Sequence, residues 1–411
     1  MFVASRFWAG LDWGVYHHDL AVTDDAGKPV VQLRITNDLR GLNSALEALR
    51  QVRRNRRSIP IAIETGRGLM VAGLRQSGQT VVVLNPTRVA NYRTRWSAQP
   101  KKSDRQDALL LANILRVDGH VQPVQPQPSV HAQAVQELAR AHRRTMQSAT
   151  LTSQRLRSLL HAYFPAAVTA WAGYDGGITR REARVILAAA PTPTQAARLS
   201  RTRLRALLAE GGRIRLVAAQ AERLRELFTT RQLRQPAELE ETMGQIALTL
   251  LHQLDTHLLV GEQQLAQLQE LFDRHPHAEV YRSFPGMGTL LAARLLGELG
   301  DDLSRFPDPR SLRSFCAAVP ITWASGTATK ISHRRKVNPV LATIGYRWAF
   351  SALTRSQGVR DLYDHRRSCG DGHAAALRRV YARLLNCLHH CLRHGIGYDE
   401  DQAFPAAVEP D

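Results

Sequence analysis

Residues 7–36, FWAGLDWGVYHHDLAVTDDAGKPVVQLRIT, decide the fold of the N-terminal part of this chain. Apolar runs bounded by turn residues predict three strands in it, over residues 7–13, 17–23 and 29–35. The run Asp24-Asp25-Ala26-Gly27 is typical of a tight turn, so the strands are predicted to form an antiparallel meander. Asp12 lies inside the first strand between apolar residues, where an unpaired carboxylate costs free energy unless it binds something.

Further along the chain, predicted helices and strands alternate. In order, the pattern predicts a helix over 39–52, a buried strand over 59–64, a helix over 69–76, a buried strand over 79–84 and a helix over 104–115. A meander followed by this alternation is the element order of an RNase H-like α/β domain, which we predict for residues 1–120. In such a sheet the first and fourth strands are neighbours, so Asp12 and Glu64 are expected to meet at one edge of the cleft.

Four carboxylates are the candidate catalytic and metal-binding groups: Asp12, Glu64, Asp104 and Asp107. The last two stand at the start of a predicted helix with i, i+3 spacing, so they share a face. Converging carboxylates suit Mg²⁺, and two such ions about 4 Å apart can clamp the attacking and leaving oxygens of a phosphodiester exchange. The alternative for the helical pair is structural, because Ser103 is a good N-cap and aspartate near a helix N-terminus interacts favourably with the helix dipole.

A proline-rich stretch, VQPVQPQP at residues 121–128, marks the end of the α/β domain, since proline lacks the amide hydrogen that a helix needs. Residues 121–279 are predicted to be this linker followed by an arginine-rich helical, coiled-coil region. Its seam residues, spaced alternately by three and four, are Leu251, Leu254, Leu258, Gly261, Leu265, Leu268 and Phe272. The seam favours a dimeric coiled coil, and the alternative is a long helix buried in its own bundle.

Residues 280–399 are predicted to be a mostly α-helical C-terminal domain, and residues 400–411 a tail. Phe284-Pro285-Gly286-Met287-Gly288 resembles a helix-hairpin-helix turn. In such a turn Gly286 and Gly288 would let backbone amides approach a nucleic-acid phosphate. The alternative is an ordinary helical hairpin, which the same pattern also closes.

The composition predicts a polyanionic partner. The chain has 411 residues with 55 Lys+Arg against 36 Asp+Glu, a formal net charge of +19. Nearly all of these cations are arginine, whose planar fork suits phosphate oxygens. With 44% hydrophobic residues the chain is neither disordered nor fibrous. No apolar run approaches the length of about 18 residues that a membrane span needs, so we expect a soluble cytoplasmic protein.

The chain resembles the DEDD transposases of the insertion sequence 110 family in a series of motifs. The resemblance runs from residues 10–14, GLDWG, to residues 397–399, GYD. It covers the four acids, the segment 156–165, the glycine turn at 284–288, FCAAVP at 315–320, Ala324-Ser325-Gly326 and a basic stretch that ends at Asn338. The resemblance implies a RuvC-like N-terminal domain, a C-terminal transposase domain whose serine, here Ser325, attacks DNA, and guidance by a non-coding RNA from the element's own ends.

Ser325 stands before a glycine in a predicted turn, a position that exposes a hydroxyl. The basic residues after it are candidate nucleic-acid contacts that can help to polarise a phosphate: Lys330, His333, Arg334, Arg335 and Lys336. Three positions depart from the family's usual pattern. Ala317 and Val337 stand where glycine is usual, and Ala342 stands where arginine is usual.

These patterns lead to one function hypothesis and two alternatives. We predict a transposase, a site-specific DNA recombinase that cleaves and rejoins strands with Mg²⁺, or Mn²⁺ in its place, held by the four acids and with Ser325 as nucleophile. Its predicted partners are the DNA of the element ends and the target, a guide RNA, and further copies of the chain that form a dimer or a DNA-bound tetramer. We expect it in the cytoplasm of a prokaryote, at the nucleoid, with no membrane partner. The alternatives are a RuvC-like structure-specific nuclease without serine chemistry and a non-catalytic nucleic-acid-binding relic.

Overall fold

The computed structural model describes residues 6–96, 103–121, 126–319, 321–325, 328–332 and 337–405 of the chain. Its internal contacts divide it into two compact units, Met1–Gln127 and Pro128–Asp411. The division falls inside the proline-rich stretch, where successive prolines remove the amide donors that regular structure needs.

The first unit is built on a mixed sheet of five strands. The strands are β1 Phe7–Asp12, β2 His17–Asp24, β3 Pro29–Thr36, β4 Ile61–Ile63 and β5 Val81–Val83. Their order in the sheet is β3-β2-β1-β4-β5. The first three strands form the predicted antiparallel meander, and β4 and β5 continue from β1 in parallel. The mixed α/β sheet predicted for this part of the chain is confirmed.

Helices cover both faces of this sheet. The helices of the first unit are α1 Leu39–Val52, α2 Leu69–Gln76, α3 Pro86–Trp96 and α4 Asp104–Asp118. Leu11 and Ile63 pack into the core on the α1 and α2 side, whereas Ala62 packs into the core on the α4 side. Because side chains alternate between the faces of a strand, Gly10 and Asp12 lie on the α4 face.

Helix α4 lies directly on β1 because Gly10 has no side chain. A Cβ atom at Gly10 would overlap the carbonyl oxygen of Ala108 and would lie 2.5 Å from the amide nitrogen of Ala112. A glycine inside a strand often marks such a close approach of another backbone. The first turn of α4, one turn before Ala108, is thereby held near the carboxyl end of β1.

The second unit is mostly helical. Its helices are α5 Val130–Tyr163, α6 Pro165–Thr169, α7 Arg181–Ala189, α8 Pro193–Arg198, α9 Arg201–Glu210, α10 Val217–Thr229, α11 Ala237–Asp273, α12 Ala278–Arg282, α13 Thr289–Leu299, α14 Pro309–Phe315, α15 Pro339–Ala352, α16 Gln357–Ser368, α17 His373–His394 and α18 Glu400–Ala403. The two longest, α5 and α11, run antiparallel, and His131 near the start of α5 bonds the carbonyl of Leu271 near the end of α11. Across the described residues, none of the helices has both the length and the apolar character that crossing a membrane requires.

Two hydrophobic cores lie along the α5–α11 pair. One contains Leu156 and Leu251 together with residues of α6 to α10. The other contains Val135 and Phe272 together with residues of α12 to α17. Because both long helices contribute to both cores, they tie the predicted helical region to the predicted C-terminal domain, and the boundary at residue 280 stays a prediction.

The leucine seam of α11 packs within the chain. Leu251 and Leu254 are buried in the first of these cores and Leu268 in the second. A Cβ atom at Gly261 would lie 2.7 Å from Sδ of Met146 on α5. The seam thus contacts α5 of the same chain, as in the alternative of a long helix buried in its own bundle, and the dimeric coiled coil expected from Leu258 and its neighbours is not confirmed. Heptad spacing shows that a helix has a partner helix, but not which chain supplies it. Dimerisation stays a prediction without support from these residues.

A two-stranded antiparallel hairpin interrupts the helices of the second unit, where the sequence pattern predicts helix and turn. Its strands are β6 Ile321–Ser325 and β7 Ala328–Ser332. Both segments contain β-branched residues, and β6 also contains a tryptophan, which suits paired strands. The hairpin carries Ser325 at the end of its first strand.

Candidate active site

One row of cross-strand neighbours carries charged residues across the sheet of the first unit. Asp12 on β1 is the register partner of Asp19 on β2, and Asp19 is the register partner of Arg34 on β3. On the other side of β1, the parallel register with β4 makes Glu64 the next neighbour of Asp12. Directly opposed residues point to the same face of a sheet, and here that is the face covered by α4.

Helix α4 brings the other two predicted acids to this row. Its N-cap is Ser103, whose side chain accepts a hydrogen bond from the backbone N–H of Gln106 at 3.3 Å. Asp104 and Asp107 lie in the first turn, where they also interact favourably with the helix dipole. The structural explanation for this pair therefore holds, and it coexists with a position beside Asp12.

Burial and neighbouring carboxylates raise the pKa of Asp12 to about 6. Burial is the largest cause, and it is followed in order by the charges of Asp107, Asp104, Glu64 and Asp19. A carboxyl group that is partly out of water and close to like charges keeps its proton to a higher pH. The structure thus brings all four predicted acids together, and the charges of the other three contribute to the raised pKa of Asp12.

Two of the four acids have arginine partners. Asp107 is buried and accepts a hydrogen bond from Nη2 of Arg93 at 2.9 Å. Asp104 is exposed and accepts one from Nη2 of Arg34 at 3.2 Å. Within the part of the chain that the structure describes, the side chains of Asp12 and Glu64 have no hydrogen-bonded or ion-paired partner. Their oxygen lone pairs are therefore available to a ligand.

The donor chemistry fits a hard divalent cation, because carboxylate oxygens are the ligands that Mg²⁺ prefers. A bound cation would also relieve the repulsion that raises the pKa of Asp12. The ligands are not preassembled. Over the described ranges, no three His, Cys, Asp or Glu side chains are arranged to share one ion, so ion binding requires the carboxylates to turn toward a common point.

Comparison with known proteins decides the family. A family model of the DEDD type, described as Transposase, matches residues 9–165, and one described as Transposase IS116/IS110/IS902 family matches residues 278–364. The mini-circle putative transposase for IS117 of Streptomyces coelicolor is 43% identical over 403 residues, which are 98% of this chain and 97% of the relative. The chain belongs to the IS110 family of transposases.

Two more distant relatives extend over almost the same length. A 44.8 kDa protein of insertion element IS116 from Streptomyces clavuligerus is 28% identical over 94% of this chain and 95% of its own length. A 42 kDa protein of insertion element IS900 from Mycobacterium paratuberculosis is 25% identical over 95% of this chain and 96% of its own length. Membership of the IS110 family therefore covers both units, as the sequence motifs predict.

Asp19 is the residue of this site that sequence reasoning missed. It is 4% exposed and stands directly opposite Asp12. Like Asp12, it is a carboxylate next to a run of apolar strand residues, here Leu20 to Val22, and this was the available signal. The pairing of β1 with β2 had to be known before the two acids could be placed side by side.

Ser325 lies in the second unit, and the structure fixes its backbone only. It is the last residue of β6 and the register partner of Ala328 on β7. The side chains of the other predicted nucleic-acid contacts of this region lie outside the described part of the structure. Lys330 is placed by its backbone in β7, and His333, Arg334, Arg335 and Lys336 lie outside the described residues.

The two glycines of the predicted phosphate turn have different surroundings. Gly286 has φ +71°, and a Cβ atom there would lie 2.6 Å from the amide nitrogen of Ala352. Its lack of a side chain is thus explained by packing against α15, as in the ordinary hairpin alternative. Gly288 is exposed, with no described atom close to its Cβ position, and precedes α13. Phosphate binding at either glycine stays a prediction.

One departure from the usual IS110-family pattern has a structural consequence. Ala317, where glycine is usual, has φ +58° and follows the C-cap residue of α14. This is the left-handed conformation that closes many helices and that glycine adopts without the steric cost of a Cβ atom. The conformation accounts for a glycine at this position, and the alanine here is strained.

Proposed function

We propose that this IS110-family transposase cuts and rejoins DNA strands at the ends and target of an insertion sequence. In this proposal Asp12, Glu64, Asp104 and Asp107 hold divalent metal, and Ser325 is the nucleophile. The observation that carries it is the placement of the acids: Glu64 follows the strand next to Asp12, and Asp104 and Asp107 lie in the first turn of the helix on the same face of the sheet. The raised pKa of Asp12, whose causes include the charges of the other three acids, agrees with this placement. Family membership supplies the substrate class.

The four acids divide into a rigid pair and an adjustable pair. Asp12 ends β1 and Glu64 directly follows β4, the adjacent parallel strand, so the sheet sets the spacing of their backbones. Asp104 and Asp107 project from the first turn of α4 and are bound by arginines, which they can leave by side-chain rotation. Bound Mg²⁺, or Mn²⁺ in its place, would neutralise charge at the reacting phosphate. The role of the protein is then to present carboxylate oxygens from two directions.

The nucleophile is assigned to Ser325 from the family resemblance. A serine hydroxyl attacks phosphorus only when its proton is removed or the phosphate is polarised. Attack forms a bond between Oγ and phosphorus, breaks the bond from phosphorus to a sugar oxygen, and passes the serine proton to that leaving oxygen. The basic residues that follow Ser325 in the sequence support the polarising role.

Nucleic acid is the proposed partner of both units. The net charge of +19 supports binding to phosphate backbones. Guidance by an element-encoded RNA and assembly of several copies are proposed from the family resemblance.

Formation of a covalent adduct tests the proposal. The full chain is incubated with a plasmid that carries both element ends and with RNA transcribed from those ends. A protein–DNA adduct is expected in Mg²⁺ or Mn²⁺ and is expected to be absent in EDTA. Ser325→Ala should abolish the adduct, whereas Ser332→Ala, a change at the end of the other strand of the hairpin, should leave it unchanged.

Two other results contradict the proposal in different ways. Strand cleavage by Ser325→Ala, with no adduct from either protein, identifies a RuvC-like nuclease without serine chemistry. DNA binding by the wild type without cleavage in either metal identifies a non-catalytic binding protein.

A further inference from the structure

Asp19 has no part in the proposed chemistry, yet it is buried beside the acids. It is 4% exposed and adds a fifth carboxylate to a group that already repels the charge of Asp12. Burying a carboxylate next to like charges costs free energy through desolvation and repulsion. Such an arrangement persists when a cationic partner compensates it, and the partner of Asp19 is Arg34.

Arg34 binds Asp19 through one whole edge of its guanidinium group. Nε lies 3.2 Å from each carboxylate oxygen of Asp19, and Nη2 lies 2.7 Å from Oδ2. The two residues are register partners on β2 and β3, so the backbone also fixes their spacing. A two-point contact of this kind sets the orientation of the guanidinium plane as well as its position.

The opposite corner of the guanidinium group is left open. Nη2 also reaches Oδ2 of Asp104 at 3.2 Å. Nη1 donates to no group in the described part of the chain, and the Arg34 side chain is 49% exposed. The N–H groups of Nη1 therefore face solvent beside the N-terminal turn of α4, which Nη2 contacts through Asp104.

We propose that Arg34 binds a DNA phosphate at the acidic site and that Asp19 is the positioning residue that aims it. The proposal rests on the proposed function, because it assumes that a DNA strand passes over Asp12. A phosphate that approaches several carboxylates is repelled unless a fixed positive charge compensates it. Arg34 is such a charge in the row of cross-strand neighbours that contains Asp12.

Asp19 prevents the guanidinium group of Arg34 from pairing fully with the other acids. Without it, the Nε and Nη2 edge of Arg34 would be free to pair fully with Asp104, which Nη2 already contacts. With it, the edge is occupied and Nη1 stays available. By its charge alone, Asp19 would weaken the binding of DNA. Its role in orienting Arg34 explains why an acid is nevertheless buried at this position.

DNA binding without any divalent ion tests the role of Arg34. The full-length chain is titrated with a DNA duplex of about 40 base pairs in EDTA over a series of NaCl concentrations. Arg34→Met should weaken binding by roughly fivefold to tenfold and lower the slope of log K against log salt by about 0.9, the value for one phosphate contact. Arg34→Lys should keep the slope. The matched control is Arg50→Met, since Arg50 is an exposed arginine of α1 whose carboxylate partner, Glu47, lies 3.9 Å away.

Cleavage kinetics test the positioning role of Asp19. Asp19→Asn should retain the slope of log K against log salt, because Arg34 keeps its charge. It should lower kcat more than it raises KM, because the guanidinium group of Arg34 is no longer held in one orientation toward the phosphate. Asp19→Glu should restore part of kcat. A purely structural role would lower the thermal midpoint and leave kcat per folded molecule unchanged, and this result would overturn the assignment.

The two proposals fail in different ways. If the wild type cuts no DNA but Arg34→Met still loses one phosphate contact, the catalytic proposal fails and the phosphate contact stands. If Asp12→Ala abolishes cleavage but Arg34→Met behaves like Arg50→Met in both assays, the catalytic proposal stands and Arg34 is not a phosphate ligand.

Discussion

The half-buried Asp12 of the first unit differs from the buried glutamates of the second unit in its lack of a cationic partner among the described residues. In the second unit the side chains of Glu182, Glu240 and Glu298 are 7%, 4% and 8% exposed, and each is bound by an arginine. In the first unit Asp12 has no partner among the described residues, and its pKa is raised to about 6. The paired glutamates of the second unit serve the fold around them. An unpaired acid that lowers stability is retained for what it binds.

The largest effect expected from this difference is on activity. Asp12→Ala or Glu64→Ala should reduce strand cleavage by about a thousandfold, since each removes an oxygen ligand of the proposed metal. DNA affinity should stay within about twofold, because the phosphate contacts come from arginines. Single-turnover cleavage and equilibrium binding measure the two quantities. Glu47→Gln, a change of an exposed acid in the same unit, is the control, and equal loss of binding and cleavage would refute the separation.

A paired acid should show the opposite behaviour. Glu298 accepts hydrogen bonds from Nε of Arg140 at 3.0 Å and from Nδ2 of Asn338 at 2.9 Å. Glu298→Ala leaves the largely buried Arg140 with the looser contact to the exposed Glu137, whose Oε1 lies 3.8 Å from Nη1 of Arg140. The change should lower the free energy of unfolding by about 2 kcal/mol. Chemical denaturation measures this change.

The control for that experiment is Glu270→Ala. Glu270 is 75% exposed and pairs with Arg274 at 3.7 Å, so its loss should change stability by less than about 0.5 kcal/mol. Similar losses from both variants would show that burial does not distinguish these acids.

Removing the charge of Asp12 should stabilise the protein near neutral pH. The folded-state pKa, about 6, is higher than the ordinary value of 3.8. The contribution of Asp12 to stability is therefore complete below pH 3.8 and is lost as the pH rises through 6. Asp12→Asn should gain about 1 kcal/mol over wild type near neutral pH, after allowance for partial exposure, and less in acid. Unfolding of both proteins in metal-free buffer checks the sign, and a relative gain by the wild type as the pH rises would be the contrary result.

The smallest predicted effect is a change in the free energy of unfolding that comes from a substitution in the second unit and does not depend on pH. Ala317→Gly relieves the strain of φ +58° but increases the freedom of the unfolded chain. The net gain should be about 0.5 kcal/mol, equal in acid and at neutral pH. Thermal unfolding at both pH values measures it, and a loss of stability would mean that the alanine side chain makes contacts that outweigh the strain.

Elements with a clear period and clear ends could be predicted from the sequence. The helices Leu39–Val52 and Leu69–Gln76 are found with their predicted bounds, and the meander agrees to within one residue at each strand end. Helix Pro86–Trp96 was missed because its residues are mainly polar and show no strong apolar stripe. Local patterns thus set the sheet and the position of Asp12 in it.

Contacts between distant segments could not be predicted in the same way. The seam of Leu251 and Leu254 was read correctly as a helix interface, but its partner, α5, lies about a hundred residues earlier in the chain. Asp19 escaped notice because only the register of β1 with β2 brings it opposite Asp12. Pairing partners are set by the packing of the whole unit, which no local pattern contains.

Direct measurement of metal binding tests the central claim, that Asp12 and Glu64, whose side chains are unpaired among the described residues, are retained in order to hold a divalent ion. The full-length chain is titrated calorimetrically with Mn²⁺ near neutral pH and compared with Asp12→Asn and with Glu47→Gln. The account predicts saturable binding by the wild type and by Glu47→Gln, and a dissociation constant at least about tenfold higher for Asp12→Asn. Equal affinity of all three proteins, or no binding by the wild type, would contradict it.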